Sequence, residues 1–538
     1  MDTMRLSSLL QARLQARPEE TAFVQNGQCV SNAAFAERVE QASAWLRERG
    51  VGPGDAVALW LLNSTEWIVL LLALARLGAI TVPINTRYRS EEVAYLLGAS
   101  GARLLLTQGG HPRLDAAGIL ADIDPAGLPQ LREVVLVNEP AGAALFPCHW
   151  PLSVFAPAAA EVLRQADASD PEKVAILFST SGTTKAPKLV MHPQRTLVDH
   201  ARRCAAGLGM DQPDAVLLTM LPMCGVFGLN SVLAALVGGA TVVIQDVFDA
   251  HQAAALMRAH GVTHAFGSDE MFRRLAQCVP GERPFPDARF FGFGAFTSSF
   301  GPFAQECVER GMPLHGLYGS SEVQALFAAQ SGSLPVAERL LGGGWPMAGT
   351  QADIRVRDTE TGELLPVGAP GELEIRAPGN FIGYFRDPGA SAAAMPDGFF
   401  RSGDLGYLRE DGSFVFLSRL GDAMRLGGHL VNPEEIEAAI KQQDGVEDVH
   451  VVAADIAGQP RPVAFVIARP DGGFQAEAVI ARLRQTVAGF KVPARIWIVD
   501  DFPQTAGANG LKTSRVLLRQ MAQARIAAEM TDSAGAAG

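Results

Sequence analysis

A hydroxyl-rich loop offers the clearest sign of chemistry in this chain. It consists of Ser179, Thr180, Ser181, Gly182, Thr183 and Thr184, and the cation of Lys188 follows a few residues later. Hydroxyl groups and exposed backbone N–H groups donate hydrogen bonds to anionic oxygens, and a nearby ammonium group neutralises their charge. The loop lacks the Gly-Lys-Ser/Thr step that opens a helix in a P-loop. A Ser/Thr/Gly segment also forms ordinary turns, so this loop alone leaves both interpretations open.

Four further segments place charged or aromatic side chains beside glycines or hydroxyls. They are Tyr318-Gly319-Ser320-Ser321-Glu322, Phe400-Arg401-Ser402-Gly403-Asp404, Phe416-Leu417-Ser418-Arg419 and Gly510-Leu511-Lys512. Each has an ordinary explanation when taken alone, because a loop Glu is usually solvated and an Asp after Gly is typical of a turn. A lysine chosen at random also lies on the surface. Their order along the chain therefore carries more information than any single segment.

In this order the segments resemble the motifs of the adenylate-forming superfamily, which contains acyl-CoA synthetases, luciferases and adenylation domains. Thr180 to Thr184 with Pro187-Lys188 resembles its phosphate loop, and Leu317 to Glu322 resembles a nucleotide-binding motif of the family. Three further segments match: Gly371-Glu372 with Gly383-Tyr384, then Val431-Asn432-Pro433-Glu434-Glu435, and then Phe502-Pro503-Gln504-Thr505. The resemblance covers most of the chain.

The resemblance implies a role for each matching residue. Tyr318 would lie on adenine, Asp404 would accept hydrogen bonds from the ribose hydroxyls, and Arg419 would contact the nucleotide. Glu322 would hold Mg²⁺, and Lys512 would be the catalytic lysine of the first half-reaction. Lys512, Glu322 and Arg419 would thus form the catalytic set. The other residues expected to bind ATP or AMP are Thr180, Ser181, Gly182, Thr183, Thr184, Lys188, Gly294, Ala295, Gly319, Ser320 and Ser321.

The chain departs from the family pattern in two of these motifs. Lys185 and Leu189 replace two glycines of the phosphate loop, and Lys185 adds a cation there. Leu511 is inserted into the usual Gly-Lys step before Lys512, and the preceding loop is longer. We still assign Lys512, because it is the only lysine between Lys491 and the C-terminus.

A glycine, Gly421, stands at the hinge position where the family usually has Asp or Lys. Glycine accepts wide changes of φ and ψ, so a rotation of the C-terminal domain about this residue is expected to remain available. The resemblance implies that this rotation withdraws Lys512 and brings Gly427 and Gly428 to the coenzyme A channel.

The acyl pocket is expected to involve Gly225, Phe227 and His315. The family usually has Phe-His where this chain has Cys224-Gly225. Because both rings are lost, we hypothesise a pocket wider than that of aryl-CoA ligases. The sequence does not name the acid.

The elements that position these motifs alternate between helical and strand-like patterns. An amphipathic run is followed by a strand-like segment, an apolar helix and another strand-like segment, at 35–49, 56–62, 67–77 and 79–83. This alternation predicts an α/β protein with βαβ units. Beyond residue 420 the pattern changes to helix, strand, strand, helix and strand, at 434–442, 448–454, 462–468, 476–488 and 495–499.

These patterns and the resemblance together predict three regions. An N-terminal AMP-binding domain of stacked α/β sheets with a small β-barrel-like subdomain is expected at 1–419. A small mobile α+β domain is expected at 420–525, and a flexible tail at 526–538. The helix near 434 should begin with Asn432 as its cap and Pro433 in its first turn.

Composition excludes several classes of protein. The 538 residues are 48% apolar and 19% charged, which is unlike a small disulfide scaffold or a disordered chain. A net charge of −12 does not favour binding to nucleic acid. No apolar run reaches the roughly 20 residues that span a bilayer, and the N-terminus lacks the apolar core of a signal peptide. The six cysteines form no CxxC pair, which indicates reduced thiols in a cytoplasmic protein.

The sequence thus predicts an ATP-dependent carboxylic acid:CoA ligase. ATP, Mg²⁺ and coenzyme A are the expected cofactors, and a small-molecule carboxylic acid is the expected substrate. Two alternatives stay open: the acceptor is the phosphopantetheine of a carrier protein, or the chain is a non-catalytic ATP-binding homologue. A homodimer also stays open.

Overall fold

The computed structural model describes residues 4–137, 149–157, 167, 169–180, 187–294, 300–426, 429–456, 459–470, 472–507 and 510–535. Its α-helices are α1 Leu6–Ala16, α2 Asn32–Glu48, α3 Thr65–Arg76, α4 Ser90–Ser100, α5 Ala116–Ala121, α6 Gln194–Gly207, α7 Val226–Gly238, α8 Ala250–Ala259, α9 Asp269–Cys278, α10 Phe300–Glu309, α11 Val336–Arg339, α12 Pro388–Ala394, α13 Pro433–Lys441, α14 Ala476–Thr486 and α15 Arg515–Gly535.

The strands are β1 Thr21–Gln25, β2 Gln28–Ser31, β3 Ala56–Trp60, β4 Ile80–Pro83, β5 Leu104–Thr107, β6 Glu133–Leu136, β7 Leu152–Val154, β8 Val174–Ser179, β9 Leu189–Pro193, β10 Val216–Thr219, β11 Thr241–Ile244, β12 His264–Ser268, β13 Phe290–Gly294, β14 Leu314–Ser320, β15 Gln324–Ala329, β16 Gly343–Pro346, β17 Asp353–Arg357, β18 Gly371–Arg376, β19 Phe400–Leu408, β20 Phe414–Arg419, β21 Met424–Leu426, β22 His429–Val431, β23 Val446–Ile456, β24 Gln459–Ala468, β25 Arg495–Ile498, β26 Gln504–Gly507 and β27 Gly510–Thr513.

A first sheet has the strand order β7-β6-β5-β3-β4-β8-β9. Its pairings are parallel except for β8 with β9, which run antiparallel on either side of the hydroxyl-rich loop. The central strands β3, β4 and β5 are mostly apolar and fully buried, and β3 is apolar throughout. Such strands are typical of parallel sheets covered by helices, so the predicted α/β class is confirmed.

A second sheet changes from parallel to antiparallel at β14. Its order is β17-β18-β19-β20-β16-β15-β14-β13-β12-β10-β11-β1-β2. Strand β14 is parallel to β13 and antiparallel to β15, and the strands from β15 to β20 continue antiparallel. This antiparallel region supplies the small β subdomain that is expected within 1–419. Ligand sites in open α/β sheets typically lie outside the carboxyl ends of the parallel strands.

Helices separate the two sheets, and side-chain alternation shows which face each strand presents. Val57 and Leu59 of β3 belong to the large core that also contains strands of the second sheet and helices α3, α6 and α7. Ala58 and Trp60 face the opposite way and pack in a second cluster with α4 and α5. Among the described residues, no helix has the length and hydropathy needed to cross a membrane.

The residues after β20 pack around hydrophobic clusters of their own. Strands β23, β24 and β25 form a sheet that is covered by α13 and α14 on one face and by α15 on the other. Helix α13 begins as predicted, because the Asn432 side chain accepts a hydrogen bond from the Glu434 N–H and Pro433 occupies the first turn. This region is the separate α+β domain expected from the sequence.

The C-terminus differs from the expected flexible tail at 526–538. Helix α15 continues to Gly535, and Ile526 is buried in the cluster beneath it. Leu518, Ala522 and Ile526 recur every four residues, which places them on one helical face against β23 and β24. The small residues after Met530 therefore extend a helix whose earlier turns are packed.

Candidate active site

The hydroxyl-rich loop is closed at its base by Thr180 and Lys188. The Thr180 N–H donates to the Lys188 carbonyl at 2.9 Å, and the Lys188 N–H donates to Thr180 Oγ1 at 3.1 Å. The Lys188 side chain is exposed. Ser181, Gly182, Thr183, Thr184 and Lys185 lie outside the described residues. The antiparallel pairing of β8 and β9 thus presents both ends of the loop at one edge of the first sheet.

Gly319, near the carboxyl end of β14, stands where the backbone of β15 approaches too closely for a side chain. A Cβ on Gly319 would lie 2.6 Å from Ala325 Cα and 2.7 Å from the Gln324 carbonyl oxygen, which is closer than real contacts allow. The Ser320 hydroxyl accepts hydrogen bonds from the backbone N–H groups of Glu322 and Val323, at 3.2 and 3.4 Å. This compact turn presents Ser321 and Glu322 at the point where the sheet changes direction.

Tyr318 and Arg419 both contact Asp404. The Tyr318 hydroxyl donates to Asp404 Oδ2 at 2.6 Å, and Arg419 Nε lies 3.0 Å from Asp404 Oδ1. Asp404 is 2% exposed, whereas the Arg419 side chain is 56% exposed. Oδ1 receives no hydrogen bond from the described residues despite its ion pair, so it retains capacity as an acceptor. The sequence-predicted Tyr318, Asp404 and Arg419 are therefore brought together.

Neighbouring charge and burial shift the pKa of Asp404 in opposite directions. Burial raises the pKa of Asp404, and the Arg419 cation and the Tyr318 hydrogen bond act in the opposite direction. The Asp404 carboxylate raises the pKa of Arg419. Burial, followed by the charge of Asp404, raises the pKa of Tyr318 far above its ordinary value. Tyr318 therefore remains a hydrogen-bond donor at every physiological pH.

Glu322 and Lys188 meet at a second tyrosine, Tyr384. The Tyr384 hydroxyl donates to Glu322 Oε1 at 3.0 Å, and Lys188 Nζ lies 4.6 Å from the centre of the Tyr384 ring. Burial and then the charge of Glu322 raise the pKa of Tyr384. Gly383-Tyr384 is one of the segments that match the family motifs, but no function was predicted for Tyr384. Its signal was an aromatic residue after a glycine, which is equally typical of packing.

The two groups share one site. The charge of Glu322 influences the pKa values of both Asp404 and Arg419, and the charge of Arg419 influences that of Tyr384. Hydroxyl, carboxylate, ammonium and guanidinium groups thus face a common region at the carboxyl end of β14. Gly294 ends the neighbouring β13 at the same edge, and Ala295 lies outside the described residues.

The donor set suits a Mg²⁺ ion that also binds substrate. Proteins usually hold Mg²⁺ in phosphate-transfer sites with one or two carboxylates, while substrate phosphates and water complete the shell. Glu322 supplies one carboxylate beside Lys188. No group of three His, Cys, Asp or Glu side chains suited to a metal is found among the described residues. A single-carboxylate arrangement at Glu322 therefore fits the part of the chain that the structure describes.

Two buried histidines, His192 and His200, donate hydrogen bonds to the turn between β14 and β15. His192 Nε2 donates to the Ser321 carbonyl at 2.8 Å, and His200 Nε2 donates to the Ala325 carbonyl at 2.6 Å. Burial lowers the pKa of each to about 4, so both rings are neutral near pH 7. Gln324 between these carbonyls has a φ of +67°, an uncommon value for a residue with a side chain. The roles of His192 and His200 could not be predicted from the sequence, because a lone histidine gives no indication of the group to which it bonds.

The residues predicted for the acyl pocket are linked by a run of aromatic rings. The His315 ring stacks on Phe290 at 4.4 Å, Phe290 lies 6.0 Å from Phe266, and Phe266 lies 6.3 Å from Phe227. Burial lowers the pKa of His315 to about 4, and its Nδ1 donates to the Gln330 carbonyl. Gly225 is the N-cap of α7, two residues before Phe227.

The predicted catalytic lysine lies on a hairpin of the C-terminal region. Lys512 is in β27 and pairs with Thr505 of β26, and nothing is described of its side chain. Gly427 and Gly428 lie outside the described residues. The predicted hinge residue, Gly421, has open space around its Cβ position, and its carbonyl accepts a 3.0 Å hydrogen bond from Arg519 of α15.

A buried ion pair fixes the end of that hairpin. Arg515 Nη1 and Nη2 donate to the two carboxylate oxygens of Glu437 at 2.7 and 3.2 Å, and Nη1 also donates to the Val451 carbonyl. Burial opposes the charged form of Glu437, yet Arg515 and the neighbouring His450 lower its pKa to about 2. Glu437 was missed, because a helical Glu is ordinarily solvated.

Two family models match the chain. A model described as AMP-binding enzyme matches residues 10–385, and one described as AMP-binding enzyme C-terminal domain matches residues 435–509. The first match includes Thr180, Lys188, Tyr318, Glu322 and Tyr384.

Curated relatives of similar length are ligases of coenzyme A. A ligase of Mycobacterium tuberculosis, named for a propanoyl group on a methyl-dioxo-octahydroindenyl ring, is 30% identical over 529 residues, covering 97% of this chain and 99% of the relative. The 2-succinylbenzoate–CoA ligase of Geobacillus kaustophilus is 30% identical, with coverages of 89% and 91%. The medium-chain fatty-acid–CoA ligase of Escherichia coli is 27% identical, with coverages of 98% and 92%.

Solved structures share the fold. ATP-bound MatB from Rhodopseudomonas palustris has a TM-score of 0.81 at 24% identity, covering 96% of this chain and 98% of its own. The O-succinylbenzoate coenzyme A synthetase MenE from Bacillus subtilis, in complex with AMP, has a TM-score of 0.78 at 24% identity, with coverages of 94% and 97%.

Proposed function

The chain belongs to the family of AMP-binding enzymes, and on that premise we propose that it is an ATP-dependent ligase that joins a carboxylic acid to coenzyme A. The reaction has two steps. The carboxylate first attacks the α-phosphorus of ATP, which forms an acyl-adenylate and releases pyrophosphate. The thiol of coenzyme A then attacks the acyl carbon, which forms the thioester and releases AMP. The supporting observation is the convergence of Tyr318, Asp404 and Arg419 with Lys188 and Glu322 in one site.

The first step depends on positioning and charge neutralisation. A carboxylic acid with a pKa of about 4.3 is already ionised near pH 7, so the nucleophile requires no general base. The difficulty is to bring one anion against another. Preorganised hydrogen-bond donors and cations reduce the repulsion between the two anions. Removing one such contact typically costs ~3–4 kcal/mol of transition-state stabilisation.

We assign the β- and γ-phosphates of ATP to the hydroxyl-rich loop, Thr180 to Thr184, and to Lys188. Lys188 lies at the base of this loop with its side chain exposed. Glu322 would hold Mg²⁺, which when bound neutralises phosphate charge. Gly294, Ala295, Ser320 and Ser321 complete the assignment at the adjoining strand ends.

The nucleoside end is assigned to Tyr318, Asp404 and Arg419. Asp404 Oδ1 is a buried acceptor that receives no hydrogen bond from the described residues, which suits a donating ribose hydroxyl. Tyr318 donates to the other carboxylate oxygen, and we assign its ring to the contact with adenine. The Arg419 cation opposes the rise that burial causes in the pKa of Asp404, and the Arg419 side chain remains exposed for contact with the nucleotide.

The two steps are assigned to two positions of the C-terminal region, 420–525, relative to 1–419. Lys512 would bridge the attacking carboxylate and the α-phosphate in the first step. Rotation about Gly421 would then replace Lys512 with Gly427 and Gly428 beside the pantetheine channel. Because one face of the C-terminal region replaces another over the site, the acyl-adenylate is protected from water before the thiol of coenzyme A arrives.

The curated relatives favour free coenzyme A as the acceptor, because each carries coenzyme A in its name. Their named acids include ring-bearing propanoates, succinylbenzoates and medium-chain fatty acids, which supports an organic acid with a sizeable apolar part. We place that part near Gly225, Phe227 and His315. A cytoplasmic location accords with the unpaired cysteines.

Carboxylate-dependent exchange of pyrophosphate into ATP tests this assignment. A panel of aromatic, alicyclic and linear acids should reveal at least one substrate for the wild-type enzyme. Lys512→Ala should lower exchange by roughly 100-fold or more with that substrate. The absence of exchange across the panel would favour the non-catalytic homologue, and unchanged exchange in Lys512→Ala would remove the role given to Lys512. A comparison of free coenzyme A with carrier-bound phosphopantetheine separates the two acceptors.

A further inference from the structure

Tyr384 contacts both charged groups assigned to the polyphosphate end of ATP. Its hydroxyl donates to Glu322 Oε1 at 3.0 Å, and its ring centre lies 4.6 Å from Lys188 Nζ. The tyrosine is 6% exposed, so both contacts are made by a packed side chain. A cation over an aromatic face is attracted to it, and a hydrogen bond to a carboxylate is stronger than a neutral one.

The backbone around Tyr384 contacts Glu322 and the residue that follows Lys188. The Phe381 N–H donates to the Glu322 carbonyl at 2.7 Å. The Phe385 N–H donates to the carbonyl of Leu189, the residue directly after Lys188, at 2.8 Å. The segment 381–385 therefore connects the strand that follows the hydroxyl-rich loop with the turn that follows β14.

Local contacts fix Tyr384 within this segment. Gly383 has a φ of +134°, and a Cβ there would lie 3.0 Å from Ser391 Oγ. The Ser391 hydroxyl in turn accepts a 2.8 Å hydrogen bond from the Tyr384 N–H. A residue with a side chain at position 383 would be strained, so glycine is required for this approach.

The geometry points to Tyr384 as a positioning residue that holds Glu322 and Lys188 at a fixed spacing for a Mg²⁺-bound triphosphate. The hydroxyl orients the carboxylate and the ring face holds the ammonium before ATP arrives. Preorganisation of this kind strengthens binding because fewer groups must be ordered on association. The inference rests on the proposed function, since it requires that the site binds ATP.

Calorimetric titration with nucleotide in the absence of acid provides the test. ATP and AMP are titrated separately, each with and without Mg²⁺. In Tyr384→Phe, which loses only the hydroxyl, the Kd of ATP with Mg²⁺ should rise by about tenfold, while that of AMP should change by less than about twofold. Tyr384→Leu, which also loses the ring, should weaken ATP binding without Mg²⁺ as well, because the contact with Lys188 is lost.

Tyr407→Phe is the control, because it removes the hydroxyl of a half-buried tyrosine on β19 that has no assigned role in the site. It should bind both nucleotides as the wild type does. The inference is overturned if Tyr384→Phe binds ATP with Mg²⁺ normally, or if ATP and AMP weaken equally together with a fall in Tm, which would indicate a purely structural role. Failure of the wild-type protein to bind ATP at all would instead overturn the proposed function.

Discussion

The Tyr318 hydroxyl donates a 2.6 Å hydrogen bond to Asp404 Oδ2 across 86 positions of sequence. Tyr318 lies on β14, the strand at which the second sheet changes from parallel to antiparallel, and Asp404 lies on β19 of the antiparallel part. The bond therefore joins two regions of different sheet pattern at the candidate nucleotide site. It also occupies one carboxylate oxygen and leaves the other for Arg419 and for a ligand.

Removing this hydroxyl should weaken nucleotide binding without removing the aromatic ring. In Tyr318→Phe, Asp404 Oδ2 loses its donor in a buried setting, at a cost of roughly 1.5–3 kcal/mol. We expect the Kd values of AMP and ATP to rise together by about tenfold or more. Calorimetric titration measures both. Unchanged AMP affinity would contradict a role for Asp404 in holding the nucleoside.

Restricting Gly421 should affect the second half-reaction more than the first. Proline fixes φ near −65° and so opposes a rotation at this residue. In Gly421→Pro, thioester formation should slow by more than about tenfold, while pyrophosphate exchange should change by only about twofold. Gly421→Ala is the matched control, because its Cβ meets open space. Equal slowing of both half-reactions in the proline variant would argue against a hinge at this residue.

Breaking the Glu437–Arg515 pair should destabilise the C-terminal region. Glu437→Gln leaves the Arg515 guanidinium largely buried without its counter-ion, which typically costs ~3–5 kcal/mol in the free energy of unfolding. Replacing both, as Glu437→Gln with Arg515→Met, should recover most of this loss. Lys441→Gln, which breaks the more exposed pair with Asp448, should cost less than about 1 kcal/mol. Denaturant unfolding measures the free energy of unfolding of each variant. Similar losses of that free energy in Glu437→Gln and Lys441→Gln would refute the importance of the buried pair.

His200 should contribute to a loss of stability in mild acid. Burial lowers its pKa from 6.5 to about 4. The unfolded chain therefore binds more protons than the folded chain within that window, and the free energy of unfolding falls as pH decreases through it. Between pH 7 and pH 5, His200→Gln should lose about 1–2 kcal/mol less than the wild type. Urea titrations at both pH values measure the difference, in which the other titrating groups cancel. Equal losses would contradict a neutral His200.

Local patterns in the sequence were sufficient to predict several elements of the fold. The apolar run at 67–77 became α3, which spans Thr65–Arg76, and the capped helix near 434 became α13. Each depends on period, caps and proline placement, which are properties of neighbouring residues. Small residues beyond Met530 carried no such signal. The packing of Ile526 on a distant sheet was needed to show that the helix continues.

The candidate site was predictable as a set of motifs but not as a set of contacts. Tyr318, Glu322, Asp404 and Arg419 follow from the family resemblance, and the structure brings them together. The contact between Tyr384 and Glu322 spans 62 positions, and no local pattern specifies such a pair. Contacts of this kind follow from strand order, which a single sequence does not determine.

The products of a single turnover test the central claim most directly. With an accepted acid and ATP but no coenzyme A, mass spectrometry should detect enzyme-bound acyl-adenylate in about stoichiometric amount, together with pyrophosphate. Addition of coenzyme A should convert that acyl-adenylate into acyl-CoA and AMP. Formation of ADP and inorganic phosphate, or of acyl-CoA without a preceding acyl-adenylate, would contradict the two-step ligase mechanism.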